Sequence, residues 1–162
     1  MRWIWIDRFE EFESGRRAVA VKNVTLAEDH LHDHFPAYAV MPASLMIEGV
    51  AQTAGILVGE ARGFQEKVIL AKIKRAAFHR LVRPGETLRY EAAIEQLTDS
   101  AASTVGRITV DGEPVGEVDI VFSHIDQNLS GTEFPQENFV FTDEFMALLK
   151  AFRQPAGQKV ML

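Results

Sequence analysis

Cysteine is absent from this sequence. That excludes disulfides, thiolate nucleophiles and Cys-ligated zinc, and nothing then points to an oxidising compartment. Nor is there an excess of positive charge, the formal net charge being −6. Duplex nucleic acid is a poor partner for such a chain, because phosphate binding needs a basic face. Long apolar runs are also missing: the most apolar stretch, residues 34–59, is interrupted by Pro36, Pro42 and Glu48, which argues against a membrane span. Met1 to Arg8 (MRWIWIDR) is too short and too charged for a secretory signal, so a cytoplasmic protein is expected. Repeats and low-complexity tracts are absent as well. What remains is a chain of 162 residues, enough for one domain that buries about 70% of its unfolded surface.

The elements follow from local pattern. Ala18 to Val24 (AVAVKNV) follows the turn candidate Ser14-Gly15 and reads as a strand. Residues 26–42 read as irregular, with Phe35-Pro36 and Met41-Pro42 holding the backbone extended, so no helix should pass through them. Pro42 suits the start of a helix over Ala43 to about Val58, which is apolar on every side and therefore buried. Val68 to Ile73, Thr87 to Gln96, Ala102 to Val110 and Val115 to Ile125 are β-prone. Arg83-Pro84-Gly85 and Asp111-Gly112 supply turns between antiparallel neighbours. One apolar helix beside a mostly antiparallel sheet predicts an α+β fold in which the sheet curls around the helix, and a partner chain covers what is left of the helix.

Two residues stand out chemically. Glu48 is the only fully charged side chain between His34 and Gly59, and it lies mid-helix. A buried carboxylate is paired, protonated or used, and burial should raise its pKa. Ser44, Glu48 and Gln52 fall at i, i+4 and i+8, one polar stripe in which Gln52 can orient the Glu48 carboxyl. A structural carboxylate satisfied by backbone or a salt bridge is the alternative. His34 sits in irregular backbone before the helix and can act as a neutral base at cellular pH. His30, His32 and His34 alternate, so an extended segment would put all three on one face, where Asp29 or Asp33 could complete a metal site.

The block KNVTLAEDHLHDHFPAYAVMPASLMIEGVAQTAG, Lys22 to Gly55, resembles the 3-hydroxyacyl-acyl-carrier-protein dehydratases, whose motif reads close to NEPFFxGHFPGxPVMPGVLxIEAMAQ. The likeness extends to WIDRFEEFESGRRAVAVKNVT before it and AAFHRLVRPGETL after it, covering roughly Trp3 to Ile125. The resemblance implies a hot-dog fold, a curved antiparallel sheet wrapped around one long buried helix. It implies dehydration of (3R)-3-hydroxyacyl-acyl-carrier-protein thioesters to trans-2-enoyl thioesters in fatty acid biosynthesis, without metal or cofactor. His34 and Glu48 map onto the catalytic pair, contributed by opposite subunits of a homodimer, or of three such dimers. A histidine base takes the α-proton and a carboxylic acid protonates the departing hydroxyl. Ala43 stands where the family's glycine offers its N–H to the thioester carbonyl.

Some positions depart from the motif. Asp33, Ala37, Ala39 and Ala43 replace residues that are glycine or proline in it, and Asp33 would favour a protonated His34 if its carboxylate reached the imidazole. A hot-dog thioesterase and a non-catalytic hot-dog subunit that binds acyl carriers therefore stay open beside the dehydratase. Between Lys67 and Gly85 six basic residues occur with no acidic one, and Lys72, Lys74, Arg75, Arg80 and Arg83 are candidates for docking an acidic acyl carrier protein. The alternative is pairing with glutamates of a neighbouring strand. The hot-dog domain should span residues 1–126 and a C-terminal extension residues 127–162. In the extension Thr142 caps a short helix, with Asp143 and Glu144 in its first turn and Phe145, Leu148, Leu149 and Phe152 on its apolar face, packed on the same domain; shaping an acyl tunnel or contacting a partner is the alternative.

Overall fold

The computed structural model describes residues 3–125 and 135–152. Its strands are β1 (Arg8–Glu13), β2 (Arg17–Asn23), β3 (Lys67–Phe78), β4 (Thr87–Leu97), β5 (Ala101–Val110) and β6 (Glu113–Ile125). Its helices are α1 (His30–Asp33), α2 (Ala43–Ala61) and α3 (Asp143–Phe152). All six strands pair antiparallel in one sheet of order β1-β2-β4-β5-β6-β3. β4 is half-buried as its alternation predicts, with Leu88, Tyr90 and Ala92 fully buried. At the β5–β6 hairpin Asp111 and Gly112 have φ of 51° and 83°, the pair of left-handed residues that a two-residue turn needs to match strand twist. The Arg83–Glu86 turn closes through a hydrogen bond from the Glu86 N–H to the Arg83 carbonyl, with Gly85 at φ 97°.

α2 packs against β2, β3, β4, β5 and β6. A flat sheet cannot make those contacts, since five strands at ~4.8 Å spacing span about 19 Å and a helix with side chains is about 10–12 Å across. The sheet therefore curls around the helix, as in the hot-dog fold. Val50, Ala54, Leu57 and Val58 of α2 meet Ala18, Ala20, Tyr90 and Ile120 in one core. Tyr90 fits only because Gly49 lacks a side chain: a Cβ there would lie 2.4 Å from its ring.

Three findings correct the sequence reading. β1 was not anticipated, because RFEEFE carries three glutamates and its apolar residues Phe9 and Phe12 are three apart rather than two. A bulge between Phe9 and Glu11 accounts for that spacing, and Arg17 and Arg89 from β2 and β4 pair with Glu11. Second, α1 is a single helical turn inside residues 26–42, ending before Phe35-Pro36 as the proline rule demands. His30 and His32 are therefore two apart on a helix and point to different sides. Third, the C-terminal end of α2 is covered by the chain's own extension, where Phe141 is 8% exposed and stands over Gly59. A Cβ at Gly59 would come within 2.3 Å of that ring. Thr142 Oγ1 accepts from the Phe145 N–H at 3.2 Å, the expected cap of α3, and Leu149 is buried. Residues 126–134 and 153–162 of the expected extension, and the Phe152 side chain, lie outside the described residues.

Candidate active site

His34 follows α1 directly, and its N–H closes the turn on the His30 carbonyl at 3.2 Å. Its imidazole Nδ1 lies 2.9 Å from the Val40 carbonyl. A carbonyl only accepts, so the proton sits on Nδ1 and Nε2 carries the free lone pair. The Phe35 ring stacks on the imidazole at 4.3 Å, and the His34–Phe35 peptide is cis. The loop is fastened by the Val40 N–H to the His34 carbonyl at 3.0 Å and by the Met41 N–H to the Val82 carbonyl at 2.8 Å. None of Asp33, Ala37, Ala39 and Ala43 has a positive φ, so the loop asks none of them for a glycine conformation. Asp33 is exposed at the end of α1, and no hydrogen bond or ion pair joins it to His34. It does not support the imidazole in the way the sequence suggested.

Glu48 is half-buried, not sealed in the core. Gln52 Nε2 donates to Glu48 Oε1 and to the Trp3 carbonyl, each at 3.0 Å, and Gln52 Oε1 accepts from the Trp5 N–H at 2.8 Å. The amide thus ties the catalytic-candidate carboxyl to the N-terminal segment, which sequence spacing alone did not foresee. Ser44, the third residue of the predicted stripe, is exposed. Ala43 is the first residue of α2 and exposed, and its N–H donates to no backbone carbonyl among the described residues. A helix-start amide of this kind carries partial positive charge.

Glu48 opens onto a cavity of about 330 Å³ that Val140, Phe141 and Phe145 also line. His34 does not line it, and within one chain no hydrogen bond or ion pair joins His34 to Glu48. Phe145 belongs to the apolar face of the extension helix, for which shaping an acyl tunnel is the alternative; Val140 and Phe141 went unrecognised because nothing in their local pattern places them beside α2. Around α1, His30 packs against Trp5 at 5.0 Å and His32 Nε2 bonds to the Leu26 carbonyl at 3.1 Å. Burial lowers the His30 pKa, against the pull of Glu28. Among the described residues no three histidine or acidic side chains are grouped to hold a metal ion.

The basic stretch divides in two. Lys72 and Lys74 are exposed, with no ion-pair partner among the described residues. Arg75 pairs with Glu117 across β3 and β6 at 2.8 Å, as the neighbouring-strand alternative anticipated, and Arg80 pairs with Glu86 at 2.8 Å. Arg83 lies 4.3 Å from the ring centre of Tyr38, in the His34 loop, and also bonds to its hydroxyl. No helix among the described residues is long and apolar enough to cross a membrane.

Comparison with known proteins bears on the family and the fold. The FabA-like domain model matches residues 3–119. The chain is 39% identical over 131 residues to the 3-hydroxyacyl-[acyl-carrier-protein] dehydratase FabZ of Thermomicrobium roseum, covering 80% of this chain and 88% of that protein. It is 40% identical over 118 residues to the enzyme of the same name from Clostridium acetobutylicum, covering 72% and 84%. Among solved structures, a dehydratase heterocomplex of Xenorhabdus doucetiae superposes with a TM-score of 0.65 at 14% identity, over 77% of this chain and 85% of that one. A Streptococcus mutans protein bound to acetyl CoA gives 0.62 at 11% identity, over 77% and 93%, and these two likenesses show the fold. The chain belongs to the FabA-like family, with the 3-hydroxyacyl-[acyl-carrier-protein] dehydratases FabZ among its relatives.

Proposed function

We propose that this protein eliminates water from 3-hydroxyacyl thioesters on acyl carrier protein, yielding trans-2-enoyl thioesters for fatty acid biosynthesis in the cytoplasm. The observation that carries the reading is the 2.9 Å contact of His34 Nδ1 with the Val40 carbonyl: a carbonyl only accepts, so Nδ1 is the donor and Nε2 of the neutral ring is left to accept a proton. Nε2 takes the α-proton, and the carboxylic acid of Glu48, aimed by Gln52, protonates the β-hydroxyl as the C–O bond breaks. Water leaves, and return of the proton from His34 to Glu48 resets the site. The Ala43 N–H, at the positive end of α2, stabilises the charge that gathers on the thioester oxygen.

The pair comes from two protomers of a homodimer. Supporting this, the outer edge of β3 pairs with no strand among the described residues and exposes Leu70 and Ile73 at 40% each, a surface suited to a second copy. Lys72 and Lys74, with Arg75, Arg80 and Arg83, form the face that receives the acidic carrier, and Arg83 brings it beside the His34 loop.

The test follows enoyl absorbance and free thiol on a 3-hydroxyacyl thioester. Enoyl formation supports the dehydratase, whereas thiol release marks a hydrolase. His34→Ala and Glu48→Gln should each abolish enoyl formation. Mixing and reassembling the two inactive variants should restore about a quarter of the activity, because half the dimers are mixed and each mixed dimer holds one intact site. No restoration would place both groups in one chain.

A further inference from the structure

We propose that the C-terminal extension, through Phe145 and Phe141, sets the length of acyl chain that the enzyme accepts. This rests on the dehydratase reading for its substrate class. Residues 140–145 lie beyond residues 119 and 125, where the family model and the resembling stretch end, so the length limit belongs to this chain's own addition.

Glu48, Gln52, Gly55 and Ile56 recur at helical spacing, so one face of α2 forms a wall of the cavity from the reacting end inward. Polar groups occur at one end only, where Glu48 and Gln52 meet. Beyond them the lining is apolar, as an alkyl chain requires. Gly55 keeps the bore open on the α2 side, and Phe141, which stands over Gly59 one turn further along α2, lines it together with Phe145, the two rings 5.9 Å apart.

That aromatic wall is built to stay in place. Asn138 Nδ2 donates to the Phe64 and Glu66 carbonyls at 3.1 and 3.3 Å, and its Oδ1 accepts from the Val140 and Phe141 N–H groups, each at 3.0 Å. Phe141 is further held over Gly59 and edge-on to Phe64 at 5.0 Å. From Glu48 to Ile56 the helix advances about 12 Å at ~1.5 Å per residue. An extended chain of ~1.5 Å bonds gains roughly 1.25 Å per carbon, so roughly nine carbons fit beyond the reacting β-carbon. A dodecanoyl-length substrate fills the cavity.

The experiment measures kcat/KM for enoyl formation across butyryl to palmitoyl lengths, and in parallel the affinity of saturated acyl-pantetheines, which have no hydroxyl to lose. In the wild type, affinity should rise up to about fourfold per methylene and level off near dodecanoyl. Phe145→Ala should move that break to longer chains and raise the palmitoyl-to-dodecanoyl ratio by about tenfold or more. Gly55→Leu, which fills the bore from the opposite wall, should move the break to shorter chains. An unmoved break in both folded variants overturns the proposal. Should the wild type form no enoyl at any length, the dehydratase reading fails, while the binding series still decides whether the extension measures chain length.

Discussion

Replacing Gln52 by leucine removes three hydrogen bonds together: from the Trp5 N–H, to the Trp3 carbonyl and to Glu48 Oε1. Neutral bonds contribute about 1 kcal/mol each, and the mechanism needs Glu48 as the uncharged acid, so about 3 kcal/mol is at stake. Gln52 is only half-buried, and leucine gains contact with an apolar cavity wall, so the expected loss of stability is about 2 kcal/mol. Catalysis should suffer separately, because Gln52 is the one group bonded to the Glu48 carboxyl among the described residues. Freeing that carboxyl should lower kcat by about tenfold to a hundredfold, or roughly 1.4–2.7 kcal/mol. The assay pairs urea unfolding with steady-state kinetics, at a temperature where the variant stays folded. Gln52→Glu provides the contrast: it puts a second carboxyl about 3 Å from Glu48, and mutual repulsion should shift the alkaline limb of the pH profile, where the acid loses its proton, upward. A folded Gln52→Leu enzyme with kcat within about twofold of wild type would refute the idea that this amide aims the acid.

Other perturbations test the frame around the site. The Tyr90 hydroxyl is buried with no hydrogen-bond partner among the described residues, and burial drives its pKa upward. Tyr90→Phe should therefore stabilise the protein by about 1 kcal/mol, a rise of roughly 2–4 °C in Tm, and a fall would show that the hydroxyl has a partner. Gly59→Val drives a side chain into Phe141 and should cost about 1–3 kcal/mol, with the extension cut faster by protease; equal cleavage would contradict that contact. Burial holds the His30 pKa below its ordinary 6.5, so the unfolded chain takes up this proton first as pH falls. Its contribution is complete above about pH 6.5 and declines below that value, so His30→Gln should flatten the stability profile between about pH 5 and 7, as urea midpoints would show.

Much of this was legible in residue order because it is local. The period of two in β4, the left-handed pair at Asp111-Gly112, the proline at the start of α2 and the Thr142 cap each depend on neighbours within a few residues. β1 escaped because a bulge breaks its period and its glutamates are satisfied by arginines of two other strands. The His34–Glu48 candidates were found by chemical contrast, an acid in an apolar helix and an imidazole in the loop before it.

Sequence alone determined the candidate chemistry, since no cysteine is present and an ionisable pair stands in a recognisable frame. It also settled the order of β2, α2, β3 to β6 and α3, because hydrophobic period and turn residues act over short range. Tertiary structure alone decided which ring nitrogen of His34 is free, what holds the Glu48 carboxyl, and how Phe141 and Phe145 come to line the cavity onto which Glu48 opens. Those outcomes hang on contacts between residues far apart in the chain, where packing and hydrogen-bond geometry choose the partner and local pattern carries no trace of it.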